Sequence, residues 1–228
     1  MQCVILAAGK GTRMRPLTAT TPKPLIKVCG KTLLQHIFEV LPPVVDEVIL
    51  VVNYLEDQIR AFCGDEFCGQ KVKYVRQDNP AGGTGDALLC AKPLLKGRFL
   101  FMYADDIHGA KALAAVVSYP YAMLAAYSHE PQHFGVIELN PDHTLKSIQE
   151  KPAKPPSNFI NIGGMVLDLD IFNYQALPSV GGEVLVTDMV TSFAQDHPVQ
   201  VLEQFVWIPV GRPEDIVLAE ECICPTDN

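Results

Sequence analysis

Residues 3 to 25 read CVILAAGKGTRMRPLTATTPKPL, in which a short apolar run passes directly into two glycines, several cations and a Pro-Lys-Pro. Gly9 and Gly11 remove the Cβ atoms that would hold backbone N–H groups away from an anion, and they tolerate positive φ. Arg13 and Arg15 carry planar forks that match phosphate oxygens, and Lys23 adds a compact charge. The chemistry is that of a triphosphate cradle. The loop has neither the Lys-Ser/Thr ending of a Walker loop nor the third glycine of a dinucleotide site.

Further along, Asp105 and Asp106 follow the apolar run RFLFMYA. Two carboxylates at a strand end suit Mg²⁺, which takes one or two carboxylates with phosphate oxygens and waters; an Asp capping the next turn is the competing reading. Gln77 precedes a second glycine-rich turn, PAGGTGDA (80 to 87), where Thr84 or Asp86 could equally serve as a helix N-cap. A planar amide such as Gln77 can meet donor and acceptor positions on a base edge. Phe134-Gly135-Val136, Glu150-Lys151-Pro152 and Asn161-Ile162-Gly163 carry little information singly, and Lys151 alone would read as a solvated lysine. The histidines are scattered, and no Ser-His-Asp or Cys-His constellation can be argued.

Taken in order, G-x-G-T-R-x-x-P-L-T with P-K-P-L, the Gln77 to Thr84 segment, Asp105 and the three later motifs resemble the sugar-1-phosphate nucleotidylyltransferases, over residues 2 to about 221. The resemblance implies transfer of a nucleotidyl group from an NTP to a sugar 1-phosphate, with Mg²⁺ as cofactor. It assigns nucleotide binding to Leu6, Ala7, Ala8, Gly9, Gly11, Thr12, Arg13, Gln77, Gly83 and Thr84, and catalysis to Arg13, Lys23 and Asp105. Asp105 falls on the metal aspartate, with Ala104 in place of the usual glycine, which leaves Asp106 as a capping or supporting residue. Sugar-phosphate binding falls to Gly135, Glu150, Lys151 and Asn161. Alternatives are another phosphorylated acceptor such as phosphocholine, which calls for an aromatic cage, and a nucleotide-binding regulatory protein with impaired catalysis.

One position departs from the family. Its second metal aspartate lies in Trp-x-Asp-x-Gly, whereas this chain has Trp207-Ile208-Pro209-Val210-Gly211. Either Asp105 works with waters and phosphate oxygens alone, or another carboxylate (Asp106, Asp188, Glu214 or Asp215) substitutes, or catalysis is reduced. Asp215 reads more readily as a helix cap.

These groups need a scaffold, and the hydropathy pattern supplies one. Apolar runs at 4–8, 48–53, 71–75 and 98–104 alternate with helical spacings at 33–41, 55–62 and 84–93, the pattern of βαβ units. Four crossovers indicate an α/β fold with a doubly wound, mostly parallel sheet, whose ligands gather beyond the carboxyl ends of the strands. Segments 121–128, 134–139, 145–150 and 159–169 read as an antiparallel flank, and helices resume near 187–196 and 213–222. One domain over 1–223 and a flexible tail, 224–228, are expected of 228 residues.

With 26 acidic against 18 basic residues, the formal charge of −8 argues against general nucleic-acid binding. Four of those basic residues, Lys10, Arg13, Arg15 and Lys23, are concentrated in the opening loop. Neither a signal peptide nor a membrane span is evident, so a soluble cytoplasmic protein is expected, monomeric or a small homo-oligomer. No hexapeptide-repeat acyltransferase region occurs in these residues, and no second activity is expected. The seven cysteines lie mostly in apolar runs and read as free thiols, with no disulfide framework and no zinc site.

Overall fold

The computed structural model describes residues 1–174 and 182–224. Strand β1 (Gln2–Ala7) leads into the glycine loop and 3-10 turns at Thr12–Met14 and Lys23–Leu25. A small hairpin follows, β2 (Lys27–Val28) and β3 (Lys31–Thr32), and then α1 (Leu33–Val40), where the Thr32 hydroxyl caps the helix by accepting from Gln35 N at 3.0 Å. Next come β4 (Glu47–Val52), α2 (Glu56–Cys63), the edge hairpin β5 (Glu66–Phe67) and β6 (Gln70–Arg76), α3 (Gly83–Ala91), β7 (Phe99–Tyr103), β8 (Asp106–His108) and α4 (Ala110–Val116). The second half adds β9 (Ala122–Tyr127), β10 (Gly135–Leu139), β11 (Leu145–Glu150), β12 (Phe159–Asn161), β13 (Met165–Leu167), α5 (Val186–Phe193), β14 (Gln200–Glu203), β15 (Trp207–Pro209) and α6 (Pro213–Ile223).

Among the described residues, eleven strands form one sheet in the order β11-β10-β12-β9-β13-β7-β1-β4-β6-β5, with β14 beside β9. The strands β7, β1, β4 and β6 are parallel neighbours, as the continuous apolar runs predict. Alternate residues of these strands feed opposite faces. Cys3, Ile5, Val48, Leu50, Leu100 and Met102 pack with α1, α2 and α4, whereas Val4, Ile49, Val51, Phe99 and Phe101 pack with α3 and α5. Each fully buried aliphatic or aromatic side chain contributes about 1.5–3 kcal/mol, so the parallel centre is the rigid part. The antiparallel flank continues the same sheet through β13, which pairs with both β7 and β9.

Three expectations need correction. The strand expected over 159–169 is two, because Gly163 and Gly164 turn the chain at φ +76° and +62°. A Cβ on Gly164 would lie 2.7 Å from Leu124 Cδ1, so the turn has no room for a side chain. The cysteines are not all free: Cys29, in the β2–β3 turn, is disulfide-bonded to Cys224 beyond α6. Chain distance hid that pair, since 195 residues separate them. Cys224 is therefore tethered, so the expected tail does not begin there; 225–228 lie outside the described residues.

A third, smaller core lies between the opening loop and α6. Met14, Val28, Leu33, Ile107, Val210 and Ala219 meet there, with the Cys29 side of the disulfide packed against it. Met14 is fully buried, so it pins the loop that presents Arg13. Among the described residues no helix is long and apolar enough to cross a membrane.

Candidate active site

The carboxyl ends of β1 and β7 bring the opening loop and Asp105 to one crevice, as parallel pairing requires. Gly11 sits at φ +58°, where a Cβ would meet Thr18 Cγ2 at 3.0 Å and Lys23 Cβ at 3.1 Å. Its carbonyl accepts from the Thr18 hydroxyl at 2.7 Å and from Met14 N at 2.9 Å, which folds the loop back on itself. Arg13 is exposed at this bend and has no ion pair among the described residues. Lys23 is buried, and its Nζ reaches Asp105 Oδ2 at 2.9 Å.

Two adjoining cavities result. The first, about 370 Å³, is lined by all twelve residues assigned to nucleotide binding or catalysis, from Leu6 to Asp105. The second, about 670 Å³, is lined by the four assigned to sugar phosphate, Gly135, Glu150, Lys151 and Asn161. Arg13, Thr84, Tyr103, Asp105, Leu185 and Gly211 line both, so the two spaces meet where the loop faces Asp105.

The second glycine-rich turn is built differently from its sequence reading. Neither Thr84 nor Asp86 caps α3. Thr84 Oγ1 accepts from Val186 N at 3.0 Å, and Asp86 Oδ2 accepts from Gln77 Nε2 at 2.9 Å. A Cβ on Gly83 would come within 2.6 Å of the Val184 carbonyl, and one on Gly85 within 2.6 Å of Val184 Cγ1. The absent side chains let Glu183–Leu185 close over the turn, with Gly85 N donating to Val184 O at 2.7 Å. Gln77 is buried; its Nε2 also donates to Gly83 O at 3.0 Å, and no donor among the described residues reaches its Oε1.

In the second cavity, Lys151 takes φ +44° and holds its amine 3.5 Å from Glu150 Oε1. Asn161 Oδ1 accepts from Gly163 N at 3.0 Å, which leaves its amide N–H groups for other partners. Gly135 leaves room beside Glu150: a Cβ there would lie 3.2 Å from Glu150 Oε2.

Asp106 does not act as a cap. It opens β8 directly opposite Pro209 of β15, Val210 N donates to Asp105 O at 3.2 Å, and both aspartates line the second cavity. Burial and then the Asp105 charge push the Asp106 carboxyl well above the usual carboxylate range, with the Lys23 charge pulling it partly back. The nearby Trp207 indole nitrogen is buried and has no hydrogen-bond acceptor among the described residues. Asp215 caps α6 as expected, its Oδ2 accepting from Gly211 N and Arg212 N at 2.8 Å each. Asp188 lines neither cavity, while Glu214 lines the second.

Sequence reasoning missed three wall residues. Tyr103 ends β7 and lines both cavities, its phenol pushed well up by burial. Its place just before Ala104-Asp105 was the available signal. Thr187 is buried with an unpartnered Oγ1 beside the second cavity, and Leu185 faces both; no local pattern marks either one.

A family model described as Nucleotidyl transferase matches residues 2–224. The chain belongs to that family. Among relatives, it is 35% identical over 231 residues to the bifunctional protein GlmU of Methanocaldococcus jannaschii, covering all of this chain and 55% of that protein. It is 30% identical to the UTP–glucose-1-phosphate uridylyltransferase AglF of Haloferax volcanii, covering 97% of this chain and 96% of that one. The chain thus spans about half the length of the GlmU relatives and nearly all of AglF. A UDP-glucose pyrophosphorylase solved with UDP-glucose shares the fold at a TM-score of 0.80 and 23% identity, covering 97% of each chain. Another, from Acinetobacter baumanii, gives 0.82 at 20% identity over 96% of this chain and 91% of that one. The nucleotidyl transferase fold is the doubly wound sheet that the hydropathy pattern predicts.

Proposed function

We propose that this protein transfers a nucleotidyl group from an NTP to a sugar 1-phosphate, giving an NDP-sugar and pyrophosphate. The observation that carries the reading is the pair of adjoining cavities, which share Arg13, Tyr103 and Asp105 at their seam. The triphosphate enters over the Gly9–Arg13 loop, and the phosphorylated sugar lies along Glu150, Lys151 and Asn161. A sugar-phosphate oxygen then attacks the α-phosphorus in line with departing pyrophosphate, and catalysis is positioning plus charge neutralisation. Arg13, with no ion pair among the described residues, meets the leaving phosphates. Lys23, paired with Asp105 beside the first cavity, would meet the α-phosphate, and Lys151, in the second, the incoming phosphate.

Among the described residues no three carboxylate, histidine or cysteine groups converge as a metal cage. The donor set suits Mg²⁺, which needs few protein carboxylates when phosphates are present. Held by Asp105, the ion would neutralise charge on the phosphate oxygens.

Gln77 narrows the base. Its amide N–H groups are spent on Gly83 and Asp86, so its oxygen remains as an acceptor toward the first cavity. An acceptor there favours a base with a ring N–H at its Watson–Crick edge, as uracil, thymine and guanine have, over cytosine and adenine, whose ring nitrogen at that position only accepts.

A second reading has one observation in its favour: Phe134 and Trp207 meet edge to face at 5.8 Å and line the second cavity with Tyr103, an aromatic wall that could receive phosphocholine. Pyrophosphate release from ATP, GTP, CTP, UTP and dTTP, each against sugar 1-phosphates and phosphocholine, separates the readings. Release is expected with UTP, dTTP or GTP and a sugar 1-phosphate, and not with CTP or ATP. NTP binding by calorimetry with no release from any pair would replace the enzyme reading with a regulatory one.

A further inference from the structure

Packing alone holds helix α6 lightly. Of its eleven residues only Ala219 is fully buried, while Val217 and Leu218 are each 58% exposed. Ile216 and Ile223 add partly buried contacts, and Glu220 Oε1 accepts from Cys29 N at 3.2 Å. An alanine offers little apolar surface, so the Cys29–Cys224 bond carries a large share of what fixes the far end of the helix.

The near end of α6 is part of the site. Asp215, in its first turn, accepts from Gly211 N and Arg212 N at 2.8 Å each. Gly211 lines both cavities, and Arg212, Glu214 and Asp215 line the second. Cys29 sits in the hairpin that starts directly after the Lys23–Leu25 turn. Between the two cysteines lie Met14 beside Arg13, Ile107 beside Asp106, and Val210, whose N donates to Asp105 O at 3.2 Å. The disulfide therefore closes the back of the seam, and both of its cysteines are only partly buried.

We infer that Cys29–Cys224 is a redox latch on the two cavities. A small dithiol reduces it, α6 loosens as a local unit, and the wall made by Gly211, Arg212 and Glu214 loses its place. In that step one thiolate of the dithiol attacks a cysteine sulfur and breaks the S–S bond, and the second thiol resolves the mixed disulfide. Two cysteine thiols form, and the dithiol departs as its own disulfide, having passed two electrons and two protons to the protein. Elements with few buried contacts open locally without global unfolding. The effect on activity rests on the nucleotidyl-transfer reading, but the latch itself does not.

Amide hydrogen exchange of the full chain with and without dithiothreitol, well below the melting temperature, reads the latch directly. All proteins carry Cys222→Ser, because that exposed thiol two residues from Cys224 can exchange with the bond. At short labelling times, reduction is expected to speed exchange across 213–223 by about tenfold or more while β1, β4 and β7 stay protected. Cys29→Ser should show the fast rates with or without dithiothreitol. Pyrophosphate release should fall several-fold on reduction, chiefly through a higher KM for the sugar 1-phosphate, and return on reoxidation. A helix α6 that stays as protected as the central strands after complete reduction, verified by thiol count, overturns the latch. Fast exchange with unaltered turnover overturns its link to the cavities. If no substrate pair releases pyrophosphate, the nucleotidyl-transfer reading fails, while the exchange rates still decide the latch.

Discussion

The two ends of the parallel sheet hold cavities of nearly equal size and opposite character. At the amino end, about 360 Å³ is lined by Met1, Gln2, Asp46, Glu47, Lys71, Lys96 and Arg98, a strongly charged wall. Its central groups are committed to one another. The terminal ammonium reaches Val44 O at 2.7 Å and Asp46 at 3.0 Å. Glu47 accepts from Gln2 at 2.5 Å and pairs with Lys73 at 2.9 Å, while Gln2 Oε1 accepts from Lys96 N at 2.8 Å. At the carboxyl end, about 370 Å³ contains an arginine with no ion pair among the described residues, and the adjoining cavity an aspartate and a buried threonine hydroxyl with no hydrogen-bond partner among them. Cavity volume therefore does not distinguish a site from a gap in the packing. What distinguishes them is whether the polar groups are already satisfied, because unsatisfied groups are costly unless a ligand completes them.

The sharpest break in this contrast comes from removing a group with no structural partner. Arg13→Ala should lower turnover by about a hundredfold or more, the usual cost of losing one preorganised charge contact to the transition state. The melting temperature should stay within a degree or so, since exposed side chains without contacts contribute little. Wild-type turnover in this variant would remove Arg13 from the mechanism, and a large loss of stability would mean that the carboxyl end is held together by its charges after all.

How much of this was legible beforehand follows from the range of each interaction. The sheet centre was readable because β1, β4 and β7 are apolar on both faces, a property of each strand alone. The site residues were readable because Gly9, Gly11 and Arg13, or Glu150 and Lys151, sit together in the chain. Thr187 and Leu185 were not, because they enter only when Gly83 and Gly85 let the preceding segment close over the turn. The capping reading of Asp106 failed for a similar reason: its backbone pairs with Pro209, about a hundred residues away, and no local rule predicts that ladder. The Cys29–Cys224 bond belongs to the same class.

That disulfide supplies the next test. The carboxyl end presents its groups from the opening loop and the first residues of β8 and α5, and Cys29–Cys224 ties α6 to the hairpin that follows Lys23. Closing so long a loop restricts the unfolded chain, and its removal typically costs about 2–5 kcal/mol. Cys29→Ser should lower the melting temperature by roughly 5–15 °C for a chain of this size. Reductant should lower the wild-type value by the same amount and leave the variant unmoved. Identical melting curves for oxidised wild type and the variant would show that the small core around Met14 holds this corner without the covalent tie.

The smallest effect belongs to the amino end, and its sign is the informative part. Glu47 is 8% exposed, and its hydrogen bond from Lys73 holds its carboxyl below the usual range, with Gln2 adding to that and burial opposing it. A carboxyl whose folded pKa lies below its unfolded value of about 4.3 contributes stability that is complete above that pH and fades as pH falls through the folded value. Glu47→Gln should therefore cost about 1–2 kcal/mol at neutral pH, the worth of a charge-assisted hydrogen bond, and should flatten the acid limb of the stability curve below about pH 4.5. Turnover should not change, because the six-residue strand β4 places the seam roughly 20 Å away. Urea unfolding at pH 7 and pH 3.5 checks the stability terms, and pyrophosphate release checks the rest. A variant that kept its stability but lost turnover would reverse the assignment of the two ends: the satisfied network would then be the functional one, and satisfaction of polar groups would no longer separate a scaffold from a site.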